Sequence, residues 1–418
     1  MSYVSGPVHV VGGGLAGLSA ALALAEAGRQ INLYEAGPSA GGRCRSYFDR
    51  GLGCRIDNGN HLLLSGNRAA YAYLDRIGTR HSMGGPGYAL FPFHDLESGE
   101  RWTVRPGAGR YPWWLLDRGR RVPGTRLRDY LGLLALRRAA AEATVASLFA
   151  AGSALYRRLI EPLAIAVLNT LPAEASGRLL AAVLAETLLL GGSACIPAFP
   201  RMGLSESFID PAIAWLRARG GEVQFGRRIA ALVMEGERVA ALGTADGPVR
   251  LGPDEAVVLA VPAWVAVDLL PELDAPDTHE SILNVHFRID AERGQAGFIG
   301  LLGGGMAEWI FVKPGVLSVT ISAANRFVDR PAEAIAETVW RDVRATCDLP
   351  ERMPPVRVVK ERRATFAATA AQHRRRPPAR TRLANLVLAG DWTATGLPAT
   401  IEGAIRSGQT AASLLLAA

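Results

Sequence analysis

The first 35 residues alternate between apolar runs and glycine-rich turns. A short run, Val8 to Val11, has the length of a buried strand and ends at a cluster of glycines. An Ala- and Leu-rich segment follows and stops at Ala27-Gly28, a pattern that predicts a helix closed by glycine. A second run, Ile31 to Tyr34, predicts another strand. The chain therefore opens with a predicted strand, helix and strand in succession.

The other end of the chain also shows an apolar run followed by a glycine and a helical pattern. Leu386 to Ala389 predicts a buried strand, and Gly390-Asp391 with a short loop comes after it. A segment rich in small residues, from about Ala399 to Leu416, predicts a final helix. Taken alone, this tail indicates no more than a carboxy-terminal strand and helix.

Apolar runs in the middle of the chain are shorter or interrupted. The segment from Leu216 to Leu242 predicts a helix end, a turn and two strands, and Glu255 to Trp264 predicts a strand that leaves through Pro262. The longest apolar stretch, Leu179 to Pro200, contains Glu186, a Gly-Gly pair and prolines. These interruptions favour a buried helix and loop over a membrane span.

Length and composition predict a globular protein of two or three domains. The chain has 418 residues, of which 49% are hydrophobic and 20% are charged. Its four cysteines show neither a C-x-x-C pair nor metal-ligand spacing, so we expect reduced thiols and no metal site. No basic segment precedes the first apolar run, and no signal peptide is predicted. These features predict a cytoplasmic protein.

The glycines after the first strand have the spacing of a dinucleotide-binding loop. Gly12, Gly14 and Gly17 form G-x-G-x-x-G between the predicted strand and helix, with Leu15 and Ala16 inside the motif. The first glycine allows the tight turn, the second lets a pyrophosphate approach the backbone, and the third lets helix and strand pack closely. The amino terminus of the helix then faces the negative charge.

Two further features identify the dinucleotide. Glu35 ends the second strand, 18 residues after Gly17, where a carboxylate can accept hydrogen bonds from both ribose hydroxyls. Gly41-Gly42-Arg43 follows, and an NAD-binding domain needs no such glycine pair and arginine there. The planar guanidinium of an arginine can donate two parallel hydrogen bonds to the pyrophosphate of a longer dinucleotide. The sequence therefore predicts an FAD site.

The carboxy-terminal segment fits the same cofactor. Ala399-Thr400-Ile401 would direct the amino terminus of the final helix at an anionic group. The N1/C2=O edge of the isoalloxazine ring, which is negative when reduced, is a suitable target. Asp391, directly after Gly390, would hold a ribityl hydroxyl.

A polar elbow near the amino terminus runs directly into three leucines. Asp57-Asn58-Gly59-Asn60-His61 is too polar to precede a buried strand, and Leu62-Leu63-Leu64 is too apolar to continue a surface turn. The combination indicates a site where backbone amides, an imidazole and an apolar wall are needed together.

These motifs, with Glu402-Gly403-Ala404 after the last strand, resemble the superfamily of flavin-dependent amine oxidases and phytoene desaturases. The similarity covers about the first 80 and the last 35 residues. Within the superfamily the chain is most similar to the hydroxysqualene dehydroxylases, also called squalene-associated FAD-dependent desaturases. The stretches that carry this finer resemblance are GGRCRS, DNGNHLLLSGN, NTLPAEASGRLL and GLSESFIDPA.

The resemblance implies an α/β fold, in which a Rossmann-like FAD-binding domain of the amine oxidase/phytoene desaturase type is interleaved with an α+β substrate domain. The FAD-binding segments would be 1–80, 203–262 and 385–418, and the substrate-domain segments would be 81–202 and 263–384. The residues implied to bind FAD are Gly12, Gly14, Leu15, Ala16, Gly17, Glu35, Ala36, Gly42, Arg43, Gly59, Asn60, His61, Ile229, Gly390, Asp391, Ala399, Thr400 and Ile401.

The resemblance also gives the elbow a role. Its backbone would pass N5 and C4=O of the flavin ring, and Gly59 would permit this approach because it has no Cβ. Asn60 and His61 would face the reacting side of the ring, and the leucines would pack behind it. The backbone near Ile229 would meet the adenine.

The reaction implied by the resemblance is reductive dehydroxylation of hydroxysqualene to squalene. An allylic alcohol leaves as water once its oxygen is protonated, and hydride from N5 of reduced flavin quenches the cation in a dry pocket. His61 is the candidate acid, with Asn60 beside it. A structural histidine bonded to a backbone carbonyl is an equal alternative, and a Tyr, Asp or Glu of the substrate domain could serve instead.

Other functions stay open at this point. A carotenoid-type desaturase would transfer a hydride from a polyprenoid to FAD, the reverse of the transfer in the dehydroxylase. The motifs are common to both kinds of enzyme and do not give the direction of hydride transfer. An amine oxidase is disfavoured because neither lysine of the chain, Lys313 or Lys360, has the context of a buried catalytic lysine. A non-catalytic flavoprotein or lipid-binding module is disfavoured by the motifs at both ends. The electron donor is unknown; NAD(P)H would dock transiently or act through a partner, since no second dinucleotide motif follows.

Positive charge is concentrated in residues 101–138. This stretch contains ten arginines and two aspartates, whereas the rest of the chain, whose net charge is +7, is close to neutral. Trp113 and Trp114 lie among the arginines, which suits a membrane interface, and a squalene-like isoprenoid lipid resides in the bilayer. We expect peripheral contact with the inner face of the cytoplasmic membrane, and no nucleic-acid binding. The alternative is a solvated cationic face over buried tryptophans.

Overall fold

The computed structural model describes residues 6–290, 297–347 and 349–417, so the predicted domain limits at residues 1 and 418 lie outside it. Its strands are β1 (Val8–Val11), β2 (Ile31–Tyr34), β3 (Ser46–Asp49), β4 (Cys54–Asp57), β5 (Leu63–Leu64), β6 (Met83–Gly84), β7 (Phe91–Asp95), β8 (Arg101–Val104), β9 (Pro197–Pro200), β10 (Glu222–Gln224), β11 (Ala231–Glu235), β12 (Arg238–Thr244), β13 (Gly247–Arg250), β14 (Ala256–Leu259), β15 (His279–Arg288), β16 (Gly297–Leu302), β17 (Trp309–Lys313), β18 (Val316–Ile321), β19 (Val356–Phe366) and β20 (Leu386–Leu388). Its α-helices are α1 (Leu15–Glu26), α2 (Arg68–Arg76), α3 (Gly132–Leu136), α4 (Glu161–Leu168), α5 (Gly177–Glu186), α6 (Asp210–Arg217), α7 (Ala263–Leu269), α8 (Ala332–Thr346), α9 (Ala370–Arg374) and α10 (Ile401–Leu416).

A parallel sheet forms the centre of the dinucleotide-type domain. Within the described residues its strand order is β10-β2-β1-β14-β20, with Val8 of β1 beside both Ile31 and Ala256. Parallel strands are covered on both faces, which explains why β1 and β14 are apolar runs without alternation. The predicted strand, helix and strand at the start of the chain are confirmed.

The first and last helices pack closely against each other beside this sheet. A Cβ on Gly408 of α10 would lie 2.2 Å from the carbonyl oxygen of Ala16 in α1, so the glycine permits the close approach. Helix α10 begins at Ile401, slightly later than predicted, because Thr400 caps it by accepting a hydrogen bond from the amide of Gly403 at 3.0 Å.

A mixed sheet forms the second large layer. Among the residues that the structure describes, its order is β19-β15-β18-β17-β16-β7-β8. One face packs against helix α8, where Ile310 and Val319 join an apolar cluster with Val339 and Trp340. The opposite face meets the elbow that follows β4, and cross-strand partners in the sheet point to the same face. We call this the site-facing side of the mixed sheet.

The middle of the chain differs from prediction in two places. The segment from Leu216 to Leu242, where two strands were expected, contains three, β10, β11 and the start of β12. Strands β11 and β12 form an antiparallel sheet with β13, which follows the segment. The stretch from Leu179 to Pro200 contains helix α5 and turns as expected, but ends in strand β9, which pairs with β5. None of the helices in the described residues is both long and apolar enough to span a bilayer.

The parallel sheet draws its strands from three separate stretches of the chain, 8–34, 222–259 and 386–388. The mixed sheet takes its strands from 91–104 and from 279–366. The chain therefore passes between the two sheets several times, and the exact domain limits given above stay a prediction.

Candidate active site

The glycine-rich loop after β1 places its three motif glycines in different surroundings. A Cβ on Gly17 would lie 2.0 Å from the carbonyl oxygen of Gly12, and a Cβ on Gly12 would lie 2.5 Å from that of Ala260. A Cβ on Gly14 would meet no atom of the described residues within 4 Å. Gly12 and Gly17 are therefore needed for the packing of the protein itself, whereas Gly14 leaves open space beside its backbone, where a pyrophosphate fits. Leu15 and Ala16 lie buried in the first turn of α1.

The carboxylate of Glu35 lies over this loop. Its oxygens accept hydrogen bonds from the backbone amides of Gly13 at 2.9 Å and Gly37 at 2.7 Å. Ala36 lies between Glu35 and Gly37 in the chain. The chain leading to Ile229 runs alongside, since the amide of Arg227 donates to the carbonyl oxygen of Glu35 at 2.9 Å. Ile229 itself is buried.

The second glycine motif lies directly against the first. Gly41 forms a parallel bridge with Gly14, and the amide of Gly41 donates to the carbonyl oxygen of Gly13 at 2.8 Å. Gly42 lies beside them, and the guanidinium of Arg43 forms an ion pair with Asp391 at 2.7 Å. The fold thus brings together the residues predicted to hold the pyrophosphate and the ribityl chain.

An arginine that the sequence analysis missed fixes the carboxy-terminal loop. Arg376 is 5% exposed and donates to the carbonyl oxygens of Leu397 at 2.7 Å and Asp391 at 2.9 Å, and to the hydroxyl of Thr395 at 2.7 Å. Burial lowers the pKa of its guanidinium to about 10. It stands third in a run of arginines whose other members are more exposed, so no local signal distinguishes it.

The loop that Arg376 fixes leads into α10. Gly390 donates its amide to the hydroxyl of Ser407 at 2.8 Å, which ties the end of β20 to this helix. Ala399 is half-buried, Thr400 caps the helix, and Ile401 is buried in its first turn. The amino terminus of α10 therefore lies beyond the same strand ends as that of α1.

These groups fit the FAD predicted from the sequence. The open space beside Gly14 lies at the amino terminus of α1, where backbone amides favour an anionic group. Arg43 and Asp391, next to this loop, can exchange their mutual ion pair for contacts to a ligand. An extended dinucleotide would run from Glu35 past the glycines towards the elbow, along the carboxyl ends of the parallel strands.

Asp57, the first residue of the elbow, joins the β3-β4 hairpin to the mixed sheet through a buried ion pair. One carboxylate oxygen accepts from the ammonium of Lys313 at 2.6 Å, and the two side chains are 6% and 12% exposed. The other oxygen accepts from the hydroxyl of Ser46 at 2.6 Å and the amide of Leu204 at 2.8 Å. The prediction that Lys313 lacks a buried context was wrong, because this hairpin residue turns inward to a carboxylate that only the fold brings near.

The next residues of the elbow bind to the site-facing side of the mixed sheet. The amide side chain of Asn284 donates to the carbonyl oxygen of Asn58 at 3.2 Å, and that of Asn60 donates to the hydroxyl of Thr320 at 3.0 Å. A Cβ on Gly59 would lie 3.2 Å from the Asn284 nitrogen. The absent side chain of Gly59 therefore allows strand β15 to approach, and its predicted contact with flavin stays a prediction.

His61 ends the elbow in a different environment. Its imidazole is half-buried, and its two predicted roles, candidate acid and structural histidine, both stay predictions. Burial lowers the pKa of the imidazole to about 4 and outweighs the opposing effect of Asp57. At neutral pH His61 is therefore uncharged and available to a ligand.

The site-facing side of the mixed sheet has a polar half and an aromatic half. Polar side chains lie on β15 and β18, and aromatic ones lie on β7, β16 and β17. The polar half contains Asn284, His286, Ser318 and Thr320, and the aromatic half contains Phe93, Phe298, Trp309 and Phe311. The two halves meet where Thr320, the partner of Asn60, pairs across the strands with Trp309.

The aromatic half is continuous. The ring centroids of Trp309 lie 5.6 Å from Phe93 and 6.2 Å from Phe298, and Phe311 lies 6.0 Å from Phe199 of β9. Gly300 lies between Phe93 and Trp309 on neighbouring strands, and a Cβ there would come within 2.7 Å of the Phe93 ring. A glycine at this position therefore makes room for the rings.

The sheets, the glycine loops and the elbow together define a flavoenzyme, and comparisons with known proteins agree. The chain belongs to the flavin containing amine oxidoreductase family, whose family model matches residues 15–416. The predicted α/β fold and FAD cofactor are confirmed by this membership.

Relatives of higher sequence identity indicate a narrower group of enzymes within this family. The chain is 49% identical over 416 residues to the hydroxysqualene dehydroxylase of Rhodopseudomonas palustris, covering 99% of both chains. It is 47% identical over 408 residues to that of Zymomonas mobilis, covering 98% of both. The solved structure of cyclohexylamine oxidase from Brevibacterium oxydans shares the fold, with a TM-score of 0.69 at 18% identity over 98% of each chain. The first two confirm the finer resemblance found in the sequence.

The ion pair between Asp57 and Lys313 yields a prediction that a double mutant tests. Lys313→Met leaves a buried carboxylate without its cation and should lower the free energy of unfolding by about 3–5 kcal/mol. Asp57→Asn in the same chain removes that charge and should restore part of the loss. Chemical denaturation of the single and double variants measures both effects. Equal stability of wild type and Lys313→Met would contradict the prediction.

The buried histidine of the polar half predicts a pH dependence of stability. His286 is 1% exposed, and burial lowers the pKa of its imidazole to about 4 from an ordinary value near 6.5. Between pH 6.5 and 4 the imidazole therefore binds a proton in the unfolded chain but not in the folded protein. Because of this difference, the folded state loses stability as the pH falls from 6.5 to 4. The loss amounts to roughly 3 kcal/mol for a shift of this size.

Urea denaturation between pH 4.5 and 7.5 tests this dependence. His286→Gln should reduce the slope of unfolding free energy against pH, although His61 continues to titrate in the same window. His81→Gln, a substitution of an exposed histidine, is the matched control and should keep the wild-type slope. Parallel curves for wild type and His286→Gln would show that His286 does not contribute.

Proposed function

We propose that the protein is an FAD-dependent hydroxysqualene dehydroxylase, which removes the hydroxyl group of hydroxysqualene and forms squalene. Identity of 49% over nearly the full length of such an enzyme carries the proposal. The division of the site-facing side supports it physically, because hydroxysqualene is a long apolar chain with one hydroxyl group. A polar half beside the elbow suits the hydroxyl, and an aromatic half suits the chain.

Reduced FAD, when bound, supplies the hydride that replaces the hydroxyl group. The protein must orient the alcohol, exclude water and provide a proton for the departing oxygen. The aromatic half excludes water, since its side chains present apolar rings: Phe93, Phe298, Trp309 and Phe311. Aromatic faces also stabilise positive charge, and an allylic alcohol develops such charge as its carbon–oxygen bond breaks.

The polar half orients the hydroxyl group. Asn60 donates to Thr320, whose hydroxyl donates to the side-chain oxygen of Asn284 at 2.8 Å, so a fixed chain of hydrogen bonds runs along the sheet. This chain leaves the side-chain oxygen of Asn60 to accept from an alcohol. His61 follows Asn60 and, as a neutral imidazole, donates or accepts a hydrogen bond without adding charge. We assign both residues to contact with the hydroxyl group.

An anaerobic experiment tests the proposed reaction. The purified flavoprotein is photoreduced and mixed with hydroxysqualene in detergent, and the flavin absorbance and extracted lipid are followed. We expect the oxidised flavin band to return as squalene forms in equal amount. A flavin that stays reduced, with the alcohol recovered, would refute the proposal. The next mixture would then be oxidised protein with squalene or phytoene, which tests a desaturase.

An exposed apolar surface supports the proposed location on a membrane. Within the arginine-rich stretch, the residues of this surface are Tyr111, Trp113, Leu116, Leu127, Leu131 and Leu134, which are between 47% and 72% exposed. Exposed arginines of the same stretch, among them Arg118 and Arg128, lie between these residues in the chain. We call it the apolar patch, and propose that it rests on the inner face of the cytoplasmic membrane, where anionic headgroups attract the arginines.

One residue expected at this interface lies elsewhere. Trp114 is 8% exposed and packs edge-on against Tyr130, with ring centroids 6.1 Å apart. The prediction that both tryptophans face the membrane was therefore wrong for Trp114. The apolar surface of the patch comes instead from leucines of the short helical turns that follow.

Vesicle binding tests the apolar patch. Trp113→Ser with Leu131→Ser should weaken co-sedimentation with anionic liposomes by roughly tenfold or more. Burial of each apolar side chain in the membrane contributes about 1.5–3 kcal/mol to binding. Flavin content should not change. Phe48→Ser is the matched control, since Phe48 is 61% exposed outside the patch. Equal binding of the double variant and the control would refute the proposed contact.

A further inference from the structure

A short segment, residues 376–379, lies along strand β20 and the loop that joins this strand to α10. We call this segment the strap. The amide of Leu388 donates to the carbonyl oxygen of Ala379 at 2.8 Å, and the amide of Ala394 donates to that of Pro377 at 2.8 Å. The strap is therefore bound to both the strand and the loop, which fixes the position of Arg376 at its start.

The loop leaves the parallel sheet at the edge where the glycine-rich loop begins. Val11 of β1 and Leu388 of β20 both pair with Leu259 of β14, so the carboxyl ends of the three strands lie side by side. Neighbouring strands lie about 4.8 Å apart, so roughly 10 Å separates the starts of the two loops. The indole of Trp392 donates to the carbonyl oxygen of Val261 at 2.9 Å and ties the loop to the chain just beyond β14. A dinucleotide bound along this edge therefore passes both loops.

Arg376 places a positive charge in the interior beside this loop. Its guanidinium lies over the ring of Phe366, 4.9 Å from the ring centroid, and donates to Nδ1 of His373 at 3.3 Å. Its other hydrogen bonds go to neutral oxygens of the loop, and its Nε makes none to the described residues. Burial and the cation lower the pKa of His373, which is therefore uncharged at pH 7. A buried cation with neutral partners is costly, because it has lost its hydration without gaining an anion.

The carboxylate that acts on this cation is already paired with another arginine. Asp391 forms an ion pair with Arg43 at 2.7 Å, and it is the backbone oxygen of Asp391 that accepts from Arg376. The protein thus brings two guanidinium groups and one carboxylate together, which leaves a surplus of positive charge. Bound FAD carries negative charge on its pyrophosphate, and its ring becomes negative at N1/C2=O on reduction. The cluster is therefore suited to an anionic cofactor.

We infer that Arg376 is a positioning residue of the flavin site, whose fixed charge favours the reduced, anionic form of the bound ring. The side chain of Arg43 is 41% exposed and can turn to the pyrophosphate, whereas Arg376 is buried and held by the strap. Its acceptor Leu397 comes three residues before Thr400, the cap of α10, so the charge lies near the helix start predicted to face N1/C2=O. The guanidinium and the helix dipole then act in the same direction.

The reduction potential of the bound flavin tests this assignment. Because Arg376→Gln removes the cation, reduced FAD should lose about tenfold more affinity than oxidised FAD, which lowers the two-electron potential by roughly 30 mV. Anaerobic titration of the purified flavoprotein against a dye of known potential measures the shift. Arg374→Gln removes an exposed arginine of the same run and is the matched control, which should keep the wild-type potential.

Unfolding of the protein with and without FAD separates this role from a purely structural one. A residue that only holds the loop would stabilise both forms to the same extent. We expect Arg376→Gln to destabilise the FAD-bound protein more than the apoprotein, in which the buried cation has no anion to balance it. Urea denaturation of both forms measures the two losses, and reconstitution of the apoprotein gives the dissociation constant of FAD.

Arg376→Lys gives an independent answer if Arg376→Gln folds poorly or loses its FAD. This variant keeps a cation in the strap, so its potential should stay close to that of wild type at neutral pH. A buried ammonium loses its proton more readily than a guanidinium, so the potential of the variant should fall below that of wild type as the pH rises from about 7 to 10.

The outcomes are distinct from those for the proposed reaction, since every measurement uses the flavoprotein without substrate. Equal potentials of wild type and Arg376→Gln would refute the assignment, and so would equal losses of stability in the two forms. A difference between wild type and Arg376→Lys that is the same at every pH would also refute it. If the photoreduced wild type forms no squalene, the proposed function fails while the role of Arg376 stands.

Discussion

A buried carboxylate needs a partner, and the way in which Asp57 meets this requirement fixes the geometry of the site. Removing a carboxylate and an ammonium from water costs several kcal/mol per ion unless they meet in good geometry. Asp57 belongs to the chain that leaves the glycine loops, and Lys313 belongs to the mixed sheet. Their ion pair at 2.6 Å therefore ties the chain that leaves the glycine loops to the mixed sheet.

This constraint determines what the rest of the elbow does. With Asp57 fixed, Asn58 and Asn60 fall opposite Asn284 and Thr320, and each forms a hydrogen bond to the sheet. Backbone and side-chain groups that would otherwise be buried without partners are thereby satisfied. His61, the next residue, does not take part in these hydrogen bonds to the sheet. The elbow is thus a rigid support that ends in an imidazole available to a ligand.

Local sequence predicts the cofactor site because its determinants are local. The glycine loop, Glu35 and the helix start that follows lie within a few residues of one another, and their spacing alone defines their chemistry. The inward turn of Lys313 could not be predicted, since its partner is 256 residues away in the chain. The same holds for Arg376, whose acceptors lie in a loop that folds back over it.

The aromatic half shows why register matters more than composition here. Phe93, Phe298 and Trp309 come from different strands, and nothing in their local sequences groups them. They share one side only because β7, β16 and β17 pair in the observed register, and a shift by one residue would turn them to the side covered by α8. Trp114 shows that a local pattern can also mislead, because this tryptophan lies among arginines in the sequence but is buried in the core.

The charge states of His61 and His286 follow from the low-dielectric environment of the site. Burial disfavours the charged form of an imidazole, so it lowers the pKa of each of these histidines to about 4. Both imidazoles are consequently neutral near pH 7, and His61 can contact a ligand by a hydrogen bond. A neutral imidazole adds no charge to a pocket that must stay dry for a carbocation.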